Sequence, residues 1–215
     1  MIIGKTMSNI GWEIENQYDI LSQMISDIAE RYHDEALALE KKVNEIYDEY
    51  ANSDYETFSN ETQGLDEVLD KPYSLCYEAR KILFCAIFSY FESMLYGIIE
   101  FYKIPRGKTN QICQLIELLC KEYKKRYSDH LLILEDEKQI ICVQYRLLRH
   151  FYMHGALDRG MDLLISFAKA EESINNKWCG NYEILNNDFL RTALDKIKCF
   201  LISIEEAYDN KTREQ

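Results

Sequence analysis

The 215-residue chain is 47% hydrophobic and 29% charged, enough to bury a core and too apolar for intrinsic disorder. Its eight Gly and two Pro are too few for a β-sandwich or barrel with frequent tight turns. With 37 acidic against 25 basic residues the formal charge is −12, which excludes a generally cationic nucleic-acid coat protein but leaves room for a local basic site.

Residues from about Ile10 to Tyr50 predict one long amphipathic helix. Tyr18, Ile25, Tyr32, Leu39 and Ile46 recur every seven residues, with Ile14, Leu21 and Ile28 as a companion row. Beyond Ile28 that row meets Glu35 and Lys42, and Ala36, Val43 and Tyr50 take over. About 40 helical residues reach roughly 60 Å at 1.5 Å per residue, so the helix either breaks near His33 or packs along a partner. Asn52–Lys71 is polar and acidic, holds Gly64 and precedes Pro72, and is expected to be a loop or weakly ordered linker. The chain then divides into an acidic helical arm and linker, 1–71, and a helical bundle, 72–215.

A second helix is predicted from about Ser74 to Lys103, stopped by Ile104-Pro105-Arg106-Gly107. Its apolar run Ile82–Tyr102 is long enough to span a bilayer. Glu92 sits at the middle, where a charge costs roughly 2.5–3.5 kcal/mol, so a buried central helix with no membrane partner is expected. Thr109 or Asn110 would cap a third helix running to about Tyr127. A fourth runs from about Glu135 to His154, with Glu135, Asp136 and Glu137 in the turn the dipole favours for acids and Gly155 as its stop. A shorter helix, Leu157–Glu171, precedes a small β-hairpin over Ser173–Asn187 around Cys179-Gly180-Asn181. The last helix, about Asp188–Tyr208, presents Phe189, Ala193, Ile197, Phe200 and Ile204 on one face. The predicted class is all-α: a bundle of four to five helices with a long N-terminal amphipathic helix and one small hairpin.

Seven Cys with no Cys-x-x-Cys argue against a zinc knuckle or a thioredoxin-type pair. Cys113 and Cys120, a heptad apart, read as reduced core residues. The first fifteen residues lack the apolar run and cleavage site of a secretory signal. A cytoplasmic location is expected.

The segment Arg149-His150-Phe151-Tyr152-Met153-His154-Gly155 holds two of the four His in the chain, with Arg146 one turn earlier. On an ideal helix Arg146, His150 and His154 share one face, bordered by Arg149 and Met153. Ile140, Val143, Leu147 and Phe151, joined by Leu148, fill a neighbouring apolar stripe. The cationic and core stripes are thus largely distinct. A dipole-favoured His at a helix C-terminus is the structural alternative. His150 and His154 at i, i+4 also fit two metal ligands, with a third from Glu92 or another helix, although the zinc-protease pattern needs Glu where Phe151 stands and the flanking Arg side chains repel a cation.

An Arg-x4-His spacing with a polar residue after the Arg and Gly after the His, in an all-helical context, resembles the HEPN superfamily, whose ribonuclease members carry Arg-x4–6-His. The motif covers about seven residues and the architecture about Ser74–Tyr208, with the acidic arm outside the match. The resemblance implies metal-independent, cofactor-free cleavage of RNA. The ribose 2′-hydroxyl attacks the adjacent phosphate, leaving a 2′,3′-cyclic phosphate and a free 5′-hydroxyl. His154 would act as general base or acid, the ordinary imidazole pKa of about 6.5 suiting it to that work. Arg149 would grip the phosphate bidentately. His150 would orient or polarise these groups, Arg146 would add a phosphate contact, and Glu92 and Ser89 on helix two would support them. Residues five apart on a straight helix point about 140° apart, so Arg149 and His154 converge only if the helix ends at the motif. Two motifs meeting across a homodimer would complete the site. A toxin or defence effector restrained by an antitoxin or regulatory protein fits this reading. A non-catalytic helical interaction module, docking through its long helix, is the alternative; a helical metal-binding protein is the third.

The acidity is unevenly placed. Residues 1–70 hold 17 acidic and 4 basic residues, and residues 71–215 hold 20 and 21. Between Lys103 and Arg126 lie seven basic residues (Lys103, Arg106, Lys108, Lys121, Lys124, Lys125, Arg126) against Glu117 and Glu122. They read as a solvated helix face or as a path for an RNA backbone. The arm's heptad seam favours dimerisation as its role.

Overall fold

The structure, a computed structural model, describes residues 9–107, 111–131, 138–154 and 185–214. Its elements are α1 (Asn9–Tyr50), α2 (Tyr55–Thr62), α3 (Leu65–Phe101), α4 (Ile112–Tyr127), a π-turn (Ile140–Tyr145) leading directly into α5 (Arg146–His154), and α6 (Asn187–Arg213). The described residues are helical and contain no strand, so the chain is an all-α bundle. The expected hairpin around Cys179–Asn181, the expected helix Leu157–Glu171, the Gly155 stop and the Glu135–Glu137 turn lie outside the described residues.

Helix α1 does not break near His33. Its 42 residues, about 63 Å at 1.5 Å per residue, run antiparallel to α3 and form the largest interface in the fold. The Tyr90 hydroxyl donates to the Ile14 carbonyl at 3.0 Å, and at the far end the Tyr47 and Phe58 rings meet at 6.1 Å. Only the first half of α1 enters the main core, through Ile10, Ile14, Leu21 and Ile25. Polar ties to α6 hold that half in place. The Tyr18 hydroxyl donates to Asp195 at 2.7 Å, Lys198 pairs with Glu15, and the Lys198 ammonium lies 4.0 Å from the Tyr18 ring centroid.

Asn52–Lys71, expected as a loop, instead forms α2 and the start of α3. Asp54 caps α2, accepting from the Thr57 amide at 3.1 Å and from its hydroxyl at 2.8 Å. Gly64, at φ 82°, makes the left-handed break between the two helices. Pro72, where the sequence boundary was drawn, lies inside α3 and does not end it. A proline there removes one main-chain bond and costs about 3 kcal/mol; its ring is buried, which offsets part of that loss.

Helix α3 is long and apolar enough to cross a membrane by composition, and in the fold it is the central helix of the bundle. On α3, Phe84 packs against Tyr145 and Phe189, which also meet each other, and Phe91 against Phe88 and Phe200, at ring separations of 5.7 to 6.1 Å. It stops at Phe101, with Lys103 at φ 50°. Helix α4 is preceded by Gln111 without a side-chain cap; Thr109 and Asn110, the expected caps, lie outside the described residues. Helix α6 is capped by the Asn186 side chain, which accepts from the Phe189 amide at 2.8 Å, and buries the face read from its sequence.

The fourth helix differs from expectation in a way that matters for the site. Ile140–Tyr145 is π-helical, and a π-turn inserts an extra residue into the helical register. The buried stripe is therefore Ile141, Cys142, Tyr145 and Leu148; of the expected stripe Leu148 is buried and Ile140 packs partly against the core, while Val143 is 42% exposed.

Candidate functional site

Arg149 follows the fully buried Leu148 and so borders the core, facing α3. Its Nη1 stands 3.9 Å from Glu92 Oε2, and its guanidinium carbon lies 5.3 Å from the centroid of the Phe88 ring. Glu92 and Phe88 are four residues apart and share one face of α3, which is why both reach the same guanidinium. The Arg149 and Glu92 side chains keep 34% and 31% of their surface in water, while Arg149 Nε is buried with no hydrogen-bond partner among the described residues. The pair is oriented but incompletely saturated. Cys85, one turn before Ser89, lies close enough to feel the charge; burial pushes its thiol up, and Arg149 and Lys81 oppose that rise.

The other motif residues are placed differently. Arg146 and His150 are exposed, on the side of α5 away from the core stripe. His154 ends α5, and its side chain lies outside the described residues, so its approach to Arg149 is not part of this geometry. The Ser89 hydroxyl donates to the Cys85 carbonyl at 2.9 Å on its own helix, and no contact joins it to Arg149 among the described residues. Phe88 carries no signal in a scan for polar chemistry; its spacing to Glu92 is the cue that finds it. Among the described residues, no group of three or more His, Cys, Asp and Glu converges as a metal ion requires.

The seven basic residues between Lys103 and Arg126 separate into roles. Arg126 is a structural tie: Nη1 donates to the Tyr102 carbonyl at 2.7 Å, Nη2 to the Lys103 carbonyl at 3.1 Å, and Nε to Glu122 at 2.9 Å. These bonds take up main-chain oxygens left open where α3 ends. Arg106 stacks on the Tyr96 ring at 4.8 Å, and Lys125 reaches Glu122 at 3.6 Å. Lys121 and Lys124 are exposed, as is Lys103; Lys108 lies outside the described residues. Lys103 and Arg126 border an open cleft of about 410 Å³ with Phe101, Tyr102, Tyr127 and Thr212. Along α3 that cleft is ten residues, about 15 Å at 1.5 Å per residue, from Glu92.

Neither a protein-family model, nor a curated protein, nor a solved structure matches this chain.

Proposed function

We propose that the chain is a metal-independent endoribonuclease of the HEPN type, cleaving RNA by 2′-hydroxyl attack, with Arg149 as the phosphate ligand and His154 as the acid–base group. One observation carries the reading. Arg149 lies in the middle of the motif helix, five residues before His154 ends it, paired from the facing helix with Glu92 and backed by Phe88, with about a third of its side chain still open to water. A pair this exposed contributes about 0–1 kcal/mol, so a phosphate competes readily with Glu92 for the same fork. His150 and Arg146 on the adjacent exposed side supply polarising charge, and the exposed Lys121 and Lys124 extend an approach for the backbone. A second copy of the chain completes the site, and an antitoxin or regulatory protein restrains it.

The test incubates full-length wild type, Arg149→Ala and His154→Ala with RNA in EDTA, after circular dichroism establishes that each is folded. Cleavage by wild type alone, leaving 2′,3′-cyclic ends, is expected. Absence of cleavage by every protein overturns the enzyme reading in favour of an interaction module. Cleavage that EDTA abolishes points to the metal alternative. A fully active monomer removes the composite site. The interaction-module reading draws on the far half of α1 with α2 and the start of α3, where Leu37, Val68, Tyr73 and Leu75 are exposed apolar residues.

A further inference from the structure

Two cysteines from separate elements meet beside the motif helix. The Cys113 thiol, in the first turn of α4, donates to the Cys142 carbonyl at 3.6 Å, and Cys142 belongs to the π-turn that leads into α5. Cys142 is buried, whereas Cys113 is half-buried and reachable by a small solute. Burial foremost, and then the charge and hydrogen bond of the Cys113 thiol, push the Cys142 thiol up to about 12. It is therefore a protonated thiol at neutral pH, in contact with its neighbour. Both cysteines are reduced. With the Cys113 sulfur against the main-chain oxygen of Cys142, the two side chains spring from adjoining backbone, and side-chain rotation is what a disulfide of about 2.05 Å asks for.

We propose that Cys113 and Cys142 are an oxidation site, a dithiol that hydrogen peroxide converts to an intramolecular disulfide. In the first step the more accessible Cys113 sulfur attacks peroxide. A sulfur–oxygen bond forms, the oxygen–oxygen bond breaks, and the departing hydroxide takes the thiol proton as water. In the second step the Cys142 thiol gives up its proton as its sulfur attacks the Cys113 sulfenic acid, a slow step because burial disfavours the thiolate. The sulfur–sulfur bond forms, and the expelled hydroxide takes the Cys142 proton as a second water. The two thiols lose two electrons and the peroxide gains them, giving one disulfide and two waters. The bond ties the first turn of α4 to the π-turn, whose extra residue sets which side of α5 meets α3. This site stands on its own geometry and does not depend on the ribonuclease reading.

The experiment treats the full-length protein with excess hydrogen peroxide, quenches with catalase and blocks remaining thiols under denaturing conditions. Non-reducing digestion with trypsin and a Glu-specific protease follows. Cleavage after Glu117 separates Cys113 from Cys120, so mass spectrometry assigns the partner without ambiguity. The expected product joins the Cys113 and Cys142 peptides, disappears with dithiothreitol, and is absent in Cys113→Ser and in Cys142→Ser but retained in Cys199→Ser. A cross-link through Cys120 instead, a sulfenic acid at Cys113 that dimedone traps with no cross-link following, or an intact dithiol while other cysteines oxidise overturns the proposal. The wild-type peptide map decides the matter even if a serine variant fails to fold.

Discussion

Arg149 and Glu92 join α5 to α3 at 3.9 Å, with about a third of each side chain still in water. The guanidinium also rests on Phe88. An exposed ion pair contributes about 0–1 kcal/mol, and a cation over a ring about 0.5–1 kcal/mol at an exposed site. The two effects are comparable, so neither contact alone fixes the side chain.

A double-mutant cycle of Glu92→Gln and Arg149→Gln is expected to give a coupling energy below about 1 kcal/mol by urea unfolding. A coupling of about 2 kcal/mol or more would make the pair a structural clasp and weaken its assignment to phosphate binding.

Arg149→Lys keeps the charge and loses the planar fork. The expected outcome is stability within about 1 kcal/mol of wild type with RNA cleavage lost. Retained cleavage would mean that charge alone suffices and the bidentate role is wrong.

Gly97 sits where α1 crosses α3, and a Cβ there would lie 2.7 Å from Ile10 Cδ1. Gly97→Ala gains about 1 kcal/mol of helix propensity but drives a buried methyl aside, a cost of about 1–3 kcal/mol. The single variant is expected to be neutral to destabilised. Adding Ile10→Val removes the clashing methyl, and thermal unfolding of the double variant is expected to show favourable coupling. Additive effects would mean that Ile10 had already moved.

The Tyr18 hydroxyl is pushed up to about 12 from 10.0, chiefly by its hydrogen bond to Asp195, then by burial and by nearby carboxylates. Raising the pKa favours the neutral phenol in the folded state. Its contribution is complete below pH 10 and is lost as pH climbs through about 12. Tyr18→Phe is expected to flatten the fall in stability over that window, and the wild-type-minus-variant absorbance difference is expected to titrate near 12. A difference titrating near 10 would show that the Asp195 bond does not hold in solution.

Helical content was legible because Ile14, Leu21 and Ile25 on α1, and Phe189, Ile197 and Ile204 on α6, recur at helical spacing and are buried. The resemblance alone set Glu92 in support of the motif, and the structure brings it within 3.9 Å of Arg149. Three things were not legible. Nothing in Ile-Ile-Cys-Val-Gln-Tyr announces a π-turn, and its extra residue turns Ile141, Cys142 and Tyr145 inward while Val143 faces out. Pro72 reads as a breaker, yet the helix continues through it with the ring buried. Arg126 reads as a surface cation, because the carbonyls it satisfies on Tyr102 and Lys103 carry no side-chain code.

The far half of α1, with α2 and the start of α3, lies outside the main core and concentrates the acidic charge. Residues 27–70 hold 14 acidic and 3 basic residues, a net of −11, leaving the rest of the chain at −1. A polyanion drifting toward such a particle experiences a torque before any contact, turning the acidic segment away and the α4 lysines toward it. Orientation of this kind speeds productive encounter without adding affinity. It fades as ionic strength shortens the screening length to about 8 Å in physiological salt, so association rates with a charged ligand should fall with salt more steeply than the small net charge of the body alone would dictate.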